Sequence, residues 1–113
     1  MVVDQLSESE VDRLFHALAD STRRSIVVRA ISGEHSVSSL AASYAMSFAA
    51  VQKHVAVLEQ ASLVTKEKRG REQIVRANRE TVRKARQLLD EYEKIWRQRA
   101  DRIADILAED SED

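Results

Sequence analysis

Between Ser36 and Leu63 two short amphipathic stretches stand almost back to back, and no other part of the chain restricts its fold so tightly. Ser36 has the side chain of a helix N-cap, and Val37, Leu40, Ala41 and Tyr44 then fall on one stripe at three-and-four spacing. After a break at Ala45 and Met46, Ser47 offers a second cap, and Val51, Val55 and Leu58 recur at i, i+4 and i+7. Two helices joined by a tight turn follow, each burying its apolar stripe. The other face of the second helix carries Ala49, Gln52, Lys53 and Ala56, with no acid before Glu59. Small, amide and basic groups on one exposed face suit base edges and phosphates in a major groove.

From Leu63 to Ala77 the helical period fails. Val64, Thr65, Ile74 and Val75 supply β-branched residues for two short strands around Arg69, Gly70 and Arg71, which predicts an arginine-tipped hairpin. Upstream, Ser7 with Glu10 reads as a capping box before Val11, Leu14, Phe15 and Leu18. Asp20 then caps a helix that buries Ile26, Val27, Ala30 and Ile31 and stops near Gly33, where a left-handed helix end is expected. Asn78 starts a last long helix. The expected fold is mainly α with a small β-hairpin: a winged helix-turn-helix of four helices, two strands and a fifth helix. One domain spans 1–113, with helices over 7–31, the helix-turn-helix over 36–61, the wing over 63–77, a dimerisation helix over 79–108 and an acidic tail over 109–113.

Along the last helix Val82, Ala85, Leu89, Tyr92, Trp96, Ile103 and Ile106 form a seam of alternating three-and-four steps, interrupted at Arg99. A helix from 80 to 108 is roughly 43 Å long at 1.5 Å per residue, whereas a globule of this size has a radius of gyration of about 13 Å. Most of it must overhang its own domain, so a second copy is expected against it. Leu14, Phe15, Leu89, Tyr92, Trp96, Ile103 and Ile106 are the expected dimer interface, built by the first and last helices of two protomers.

Aromatic residues make up only 4% of the chain, so the interior must come mainly from Ala, Val, Leu and Ile. The net charge of −1 hides a strong segregation. Residues 66–87 hold nine bases and three acids, and 88–113 hold four bases and nine acids. The local positive stripe, not the total, governs phosphate contact.

The chain has no cysteine, which excludes disulfides and thiolate metal sites. No apolar run approaches the roughly 18 residues of a membrane span, and Met1 to Leu6 lacks the basic and apolar segments of a signal peptide, so a cytoplasmic, nucleoid-associated protein is expected. No HExxH motif, phosphate-cradling glycine loop or plausible Ser-His-Asp order is present, so no enzyme is expected.

The run from Phe15 to Val27 (Phe-His-Ala-Leu-Ala-Asp-Ser-Thr-Arg-Arg-Ser-Ile-Val) resembles the opening of the ArsR/SmtB-type bacterial repressors. So do Ser38 to Ala41, Ser47 to Leu58, and Ala61 to Val64; with the wing and last helix the resemblance covers about residues 10–108. Trp96, followed by Arg99, Asp101, Arg102 and Ile103, further resembles a metal-independent branch. The resemblance implies a homodimer that binds double-stranded DNA at a pseudo-palindromic operator and represses, often at its own promoter. Metal sensors of the family use cysteines, or histidines and carboxylates on the last helix. His16, His35 and His54 lie elsewhere, and Asp101 with Asp105 makes a poor transition-metal site without imidazole, so neither metal nor cofactor is expected.

Carried over from the matching positions, the recognition residues are Ser47, Phe48, Ala49, Gln52, Lys53 and His54. Gln52 can pair bidentately with adenine and Ala49 can accept a thymine methyl. Phe48 either touches a thymine methyl or packs on the preceding helix, and His54 either faces DNA or is a partly buried ring. Ser47 and Lys53 suit phosphates. In the wing, Arg69 and Arg71 can reach a minor groove while Lys66, Lys68 and Arg76 track phosphates, with Arg23 and Arg24 adding backbone contacts. Two alternatives stand beside this reading. One is a dimeric winged-helix module for protein partners that lacks operator binding. The other is a repressor with a small-molecule effector held near Phe15, Tyr92 and Trp96.

Overall fold

Local capping chemistry sets most of the helix boundaries. The computed structural model describes residues 6–111; Met1 to Gln5, where no signal peptide is expected, and the last two residues of the acidic tail lie outside the described residues. Helix α1 (Glu8–Leu18) starts at the expected capping box, in which the Glu10 N–H donates to Ser7 Oγ at 3.2 Å and the Ser7 N–H donates to Glu10 Oε1 at 2.9 Å. Helix α2 (Ser21–Ser32) starts where Asp20 Oδ2 accepts from the Arg23 N–H at 3.0 Å. Each such cap satisfies a donor the helix cannot and is worth about 1 kcal/mol.

Gly33 ends α2 with φ 169°, which is extended backbone and not the left-handed end expected there. The extension leads into a feature the sequence reading lacked. His35–Ser36 form a two-residue strand, β1, whose register partners are Val75 and Ile74. Ser36 also caps α3 (Val37–Tyr44) by accepting from the Ser39 N–H at 3.0 Å. The turn that follows depends on Ala45 in the left-handed region at φ 52°, with the Met46 N–H returning to the Ala41 carbonyl at 3.1 Å. Ser47 then caps α4 (Phe48–Gln60). Ser62, at φ 60°, turns the chain into β2 (Val64–Arg69), which pairs antiparallel with β3 (Glu72–Ala77) from Val64 opposite Ala77 to Arg69 opposite Glu72. The expected hairpin is thus two strands of a three-stranded antiparallel sheet ordered β1-β3-β2.

The core lies between α1–α4 and the inner face of this sheet. Ile26, Leu40, Leu58 and Leu63 are its largest fully buried side chains, joined by Val51, Val55, Val64 and Val75. No aromatic belongs to this buried set; Tyr44 sits half-buried at its margin, with its hydroxyl 2.6 Å from Ser25 Oγ and the Arg29 guanidinium 4.6 Å above its ring. Leu14 corrects one expectation. It is 2% exposed within its own protomer's core, so it is not open to a partner; α1 turns Leu14 inward and Phe15 outward.

Helix α5 (Arg79–Ser111) runs on through the first residues of the expected acidic tail, so 109–111 are helical. Its first turns join the core through Val82, Ala85 and Leu88. From Leu89 to Glu109 every residue is exposed. The molecule is therefore elongated, 73 × 33 × 23 Å with a radius of gyration of 19.5 Å, against about 13 Å for a globule of this length. Among the described residues no helix is long and apolar enough to cross a membrane.

Candidate nucleic-acid interface

Helix α4 and the β2-β3 wing present their exposed residues side by side, and the partners of each side chain decide which are free for a ligand. Ser47, Phe48, Ala49 and Lys53 are exposed at the start and outer face of α4. Phe48 is 46% exposed in the first turn, so it is not withdrawn against the preceding helix. Lys53 has no side-chain partner among the described residues.

Gln52 is half-buried and engaged at both ends of its amide. Its Nε2 donates to Gln73 Oε1 at 2.9 Å, and its Oε1 accepts from Lys66 Nζ at 3.4 Å. Lys66 in turn lies 3.8 Å from Glu59. Alternation along the strands explains this set, because Lys66 and Gln73 share the sheet face that carries Val64 and Val75 toward α4. Gln52 therefore fastens the helix to the wing, and Lys66 points inward to it. His54 is also half-buried: Arg23 Nη1 lies 3.3 Å from its Nδ1, and Asp20 Oδ2 lies 3.9 Å away. Since an arginine only donates, Nδ1 is the acceptor of this contact.

Arg23 and Arg24 have a structural occupation. Arg23 donates from Nε to the Ala17 carbonyl at 2.7 Å and from Nη2 to the His16 carbonyl at 3.1 Å, while Arg24 Nη1 donates to the Leu18 carbonyl at 2.7 Å. Both add donors to carbonyls at the end of α1, where the His16 carbonyl also accepts from the Ala19 N–H at 3.2 Å.

On the outer face of the sheet, Arg69 forms a fork onto both oxygens of Glu34 at 3.1 and 3.2 Å and also holds Glu67 at 3.1 Å. Arg76 Nε lies 3.2 Å from the same Glu34 carboxylate. The fork from Arg69, reinforced by Arg76, holds the Glu34 carboxyl below the usual glutamate range. This cluster lies over the otherwise buried Ile74. The sequence reading missed Glu34, Glu67 and Gln73. Glu67 and Arg69 shared a recognisable strand face, but Glu34 reaches that face only because β1 joins the sheet. Arg71 and Lys68 are exposed, and neither has a side-chain partner among the described residues. The turn between the strands uses Gly70 at φ 65°, a conformation that costs glycine little.

Of the cations expected at DNA, Lys53, Lys68 and Arg71 are thus unpartnered, while Arg23, Arg24, Lys66, Arg69 and Arg76 are held by protein groups. Among the described residues no three His, Cys, Asp or Glu side chains converge as a metal site requires. The expected interface residues Phe15, Leu89, Tyr92, Trp96, Ile103 and Ile106 are all exposed, Trp96 most of all at 71%. Ile95 and Leu107, which the sequence reading left out, widen the same apolar stripe.

No protein-family model and no curated protein matches the chain. Solved structures do. An ArsR-like transcriptional regulator from Rhodococcus sp. RHA1 is 33% identical, with 87% of this chain and 92% of that one covered and a TM-score of 0.74. A possible transcriptional regulator for arsenical resistance is 35% identical over 76% of this chain and 92% of its own, with a TM-score of 0.65. A homodimeric winged helix-turn-helix DNA-binding domain from Mycobacterium bovis has a TM-score of 0.63 over 74% of this chain and 80% of that one, and at 23% identity it speaks to the fold alone. Fold, helix order and these identities agree: the chain belongs to the ArsR family of transcriptional regulators.

Proposed function

We propose that the protein is a homodimeric repressor that binds a pseudo-palindromic DNA operator, possesses no metal or other cofactor, and acts in the cytoplasm on the nucleoid. The observation that carries this reading is the juxtaposition of α4 with Lys53, Lys68 and Arg71, three cations without a side-chain partner among the described residues, where Arg23, Arg24, Lys66, Arg69 and Arg76 are tied to protein. Two copies of this surface related by a twofold axis match two half-sites. The exposed α5 stripe supports the pairing. It runs over 19 residues from Leu89 to Leu107, about 27 Å between its ends at a rise of 1.5 Å per residue, and so large a strip of apolar side chains is unfavourable in water.

In this arrangement α4 enters the major groove with Phe48 and Ala49 near thymine methyls, and Ser47 and Lys53 at phosphates. Gln52 reads bases only by exchanging its bond to Gln73 for one to adenine. Otherwise it sets the angle between helix and wing. Arg71 reaches the neighbouring minor groove and Lys68 the backbone. Genome-wide mapping of bound sites, followed by competition between a recovered site and scrambled DNA, tests the reading. Preference for the recovered site by 10³-fold or more at moderate salt is expected of a specific binder; equal affinity for both contradicts it. The same experiment separates the protein-interaction alternative, which gains from the held state of Arg69 but predicts no preferred DNA.

A further inference from the structure

Away from α4 and the wing tip, a groove of about 490 Å³ opens between the end of α2, the end of β3 and the first turns of α5. Its size lies within the range of small-molecule pockets. Its floor is apolar, with Ile31 half-exposed and Val82 beneath, and its rim carries Arg76, Arg79, Arg83 and Arg86. Among the described residues Glu34 pairs with Arg76 and Glu80 pairs with Arg83. Arg79 and Arg86 have no partner among the described residues, which places two positive charges beside an apolar floor.

We infer that this groove binds a small phosphate monoester with an apolar or aromatic body. The guanidinium fork fits phosphate oxygens bidentately, and a phosphate monoester carries about two negative charges at neutral pH, which matches the excess on the rim. A neutral molecule leaves the arginines repelling one another, and inorganic phosphate leaves the Ile31 side chain in water. The inference goes beyond the DNA-binding reading, and its test uses no DNA, so either can fail alone.

The test is isothermal titration of the full chain with 1-naphthyl phosphate, inorganic phosphate and 1-naphthol. One naphthyl phosphate per protomer is expected, bound at least tenfold more tightly than either fragment. The double variant Arg79→Ala with Arg86→Ala, and separately Ile31→Asp, should each weaken it at least tenfold, with unchanged far-ultraviolet circular dichroism. Arg97→Ala with Arg102→Ala, farther along α5, should leave it within twofold. No saturable binding, equal affinity for inorganic phosphate, or equal weakening by the two arginine pairs overturns the inference.

Discussion

Replacing Trp96 by alanine tests whether the overhanging part of α5 is an interface. The indole is 71% exposed in the protomer. A fully buried aromatic of this size hides roughly 150–250 Å², so about 150 Å² of Trp96 is available for a partner to cover. If half of this is covered, at about 25 cal/mol per Å², the gain is about 2 kcal/mol per protomer and about 4 kcal/mol per symmetric dimer. That raises the dimer dissociation constant roughly a thousandfold. Sedimentation equilibrium across a concentration series reads it directly. Trp96 is outside the protomer core, so helix content should persist once dimers separate. Lys94→Ala, two residues away and paired with Glu91 on the same helix, is the control and should leave the constant unchanged. A Trp96→Ala constant within threefold of the parent's, or a parent that stays monomeric at tens of micromolar, would refute the reasoning.

Three further outcomes follow from the partners of single side chains. Arg71→Ala should weaken binding to specific and scrambled DNA alike and lower the salt slope by about 2 per dimer; removing a protein-bound pair through Glu67→Gln with Arg69→Gln should change it by less than half as much, both read by fluorescence anisotropy. Glu34→Gln releases Arg76 and leaves Arg69 with Glu67 as its one acidic partner among the described residues, and should tighten DNA binding with a steeper salt slope. The same variant has a pH signature: the folded-state pKa of Glu34 lies below its ordinary 4.5, so its stabilisation is present above that value and lost as pH falls through the lowered one. Thermal unfolding of Glu34→Gln should therefore lose less stability on acidification than the parent. Ser47→Ala removes the acceptor of the Ala50 N–H and should cost about 1 kcal/mol in denaturant unfolding.

The helices were legible because their signals are local. Ser7 with Glu10, Asp20, Ser36 and Ser47 each sit three residues before the donor they cap, and that spacing is visible in a string of letters. The excess length of α5 was legible too, since no fold of the rest of the chain can cover such a helix. The third strand was not, because two residues show no alternation and His35–Ser36 become a strand only when Val75 lies beside them. The same limit governed the site. Arg23, Arg24, Lys66, Arg69 and Arg76 look like equivalent surface cations in sequence; contacts six to forty-two residues away give each a structural partner. Leu14 and Phe15 are neighbours on one apolar stripe, and only the packing of α1 sends one inward and the other out.

The most direct test of the central proposal is the salt dependence of binding to the strongest site recovered from the genome. Three cations without a partner among the described residues, two at phosphates and Arg71 in the minor groove, place six charges of two protomers against the DNA polyanion, and at about 0.9 per neutralised phosphate the slope of log K against log salt should be near −5. A slope between zero and −1, or no binding in dilute buffer, would contradict a paired protein that uses Lys53, Lys68 and Arg71 to hold DNA.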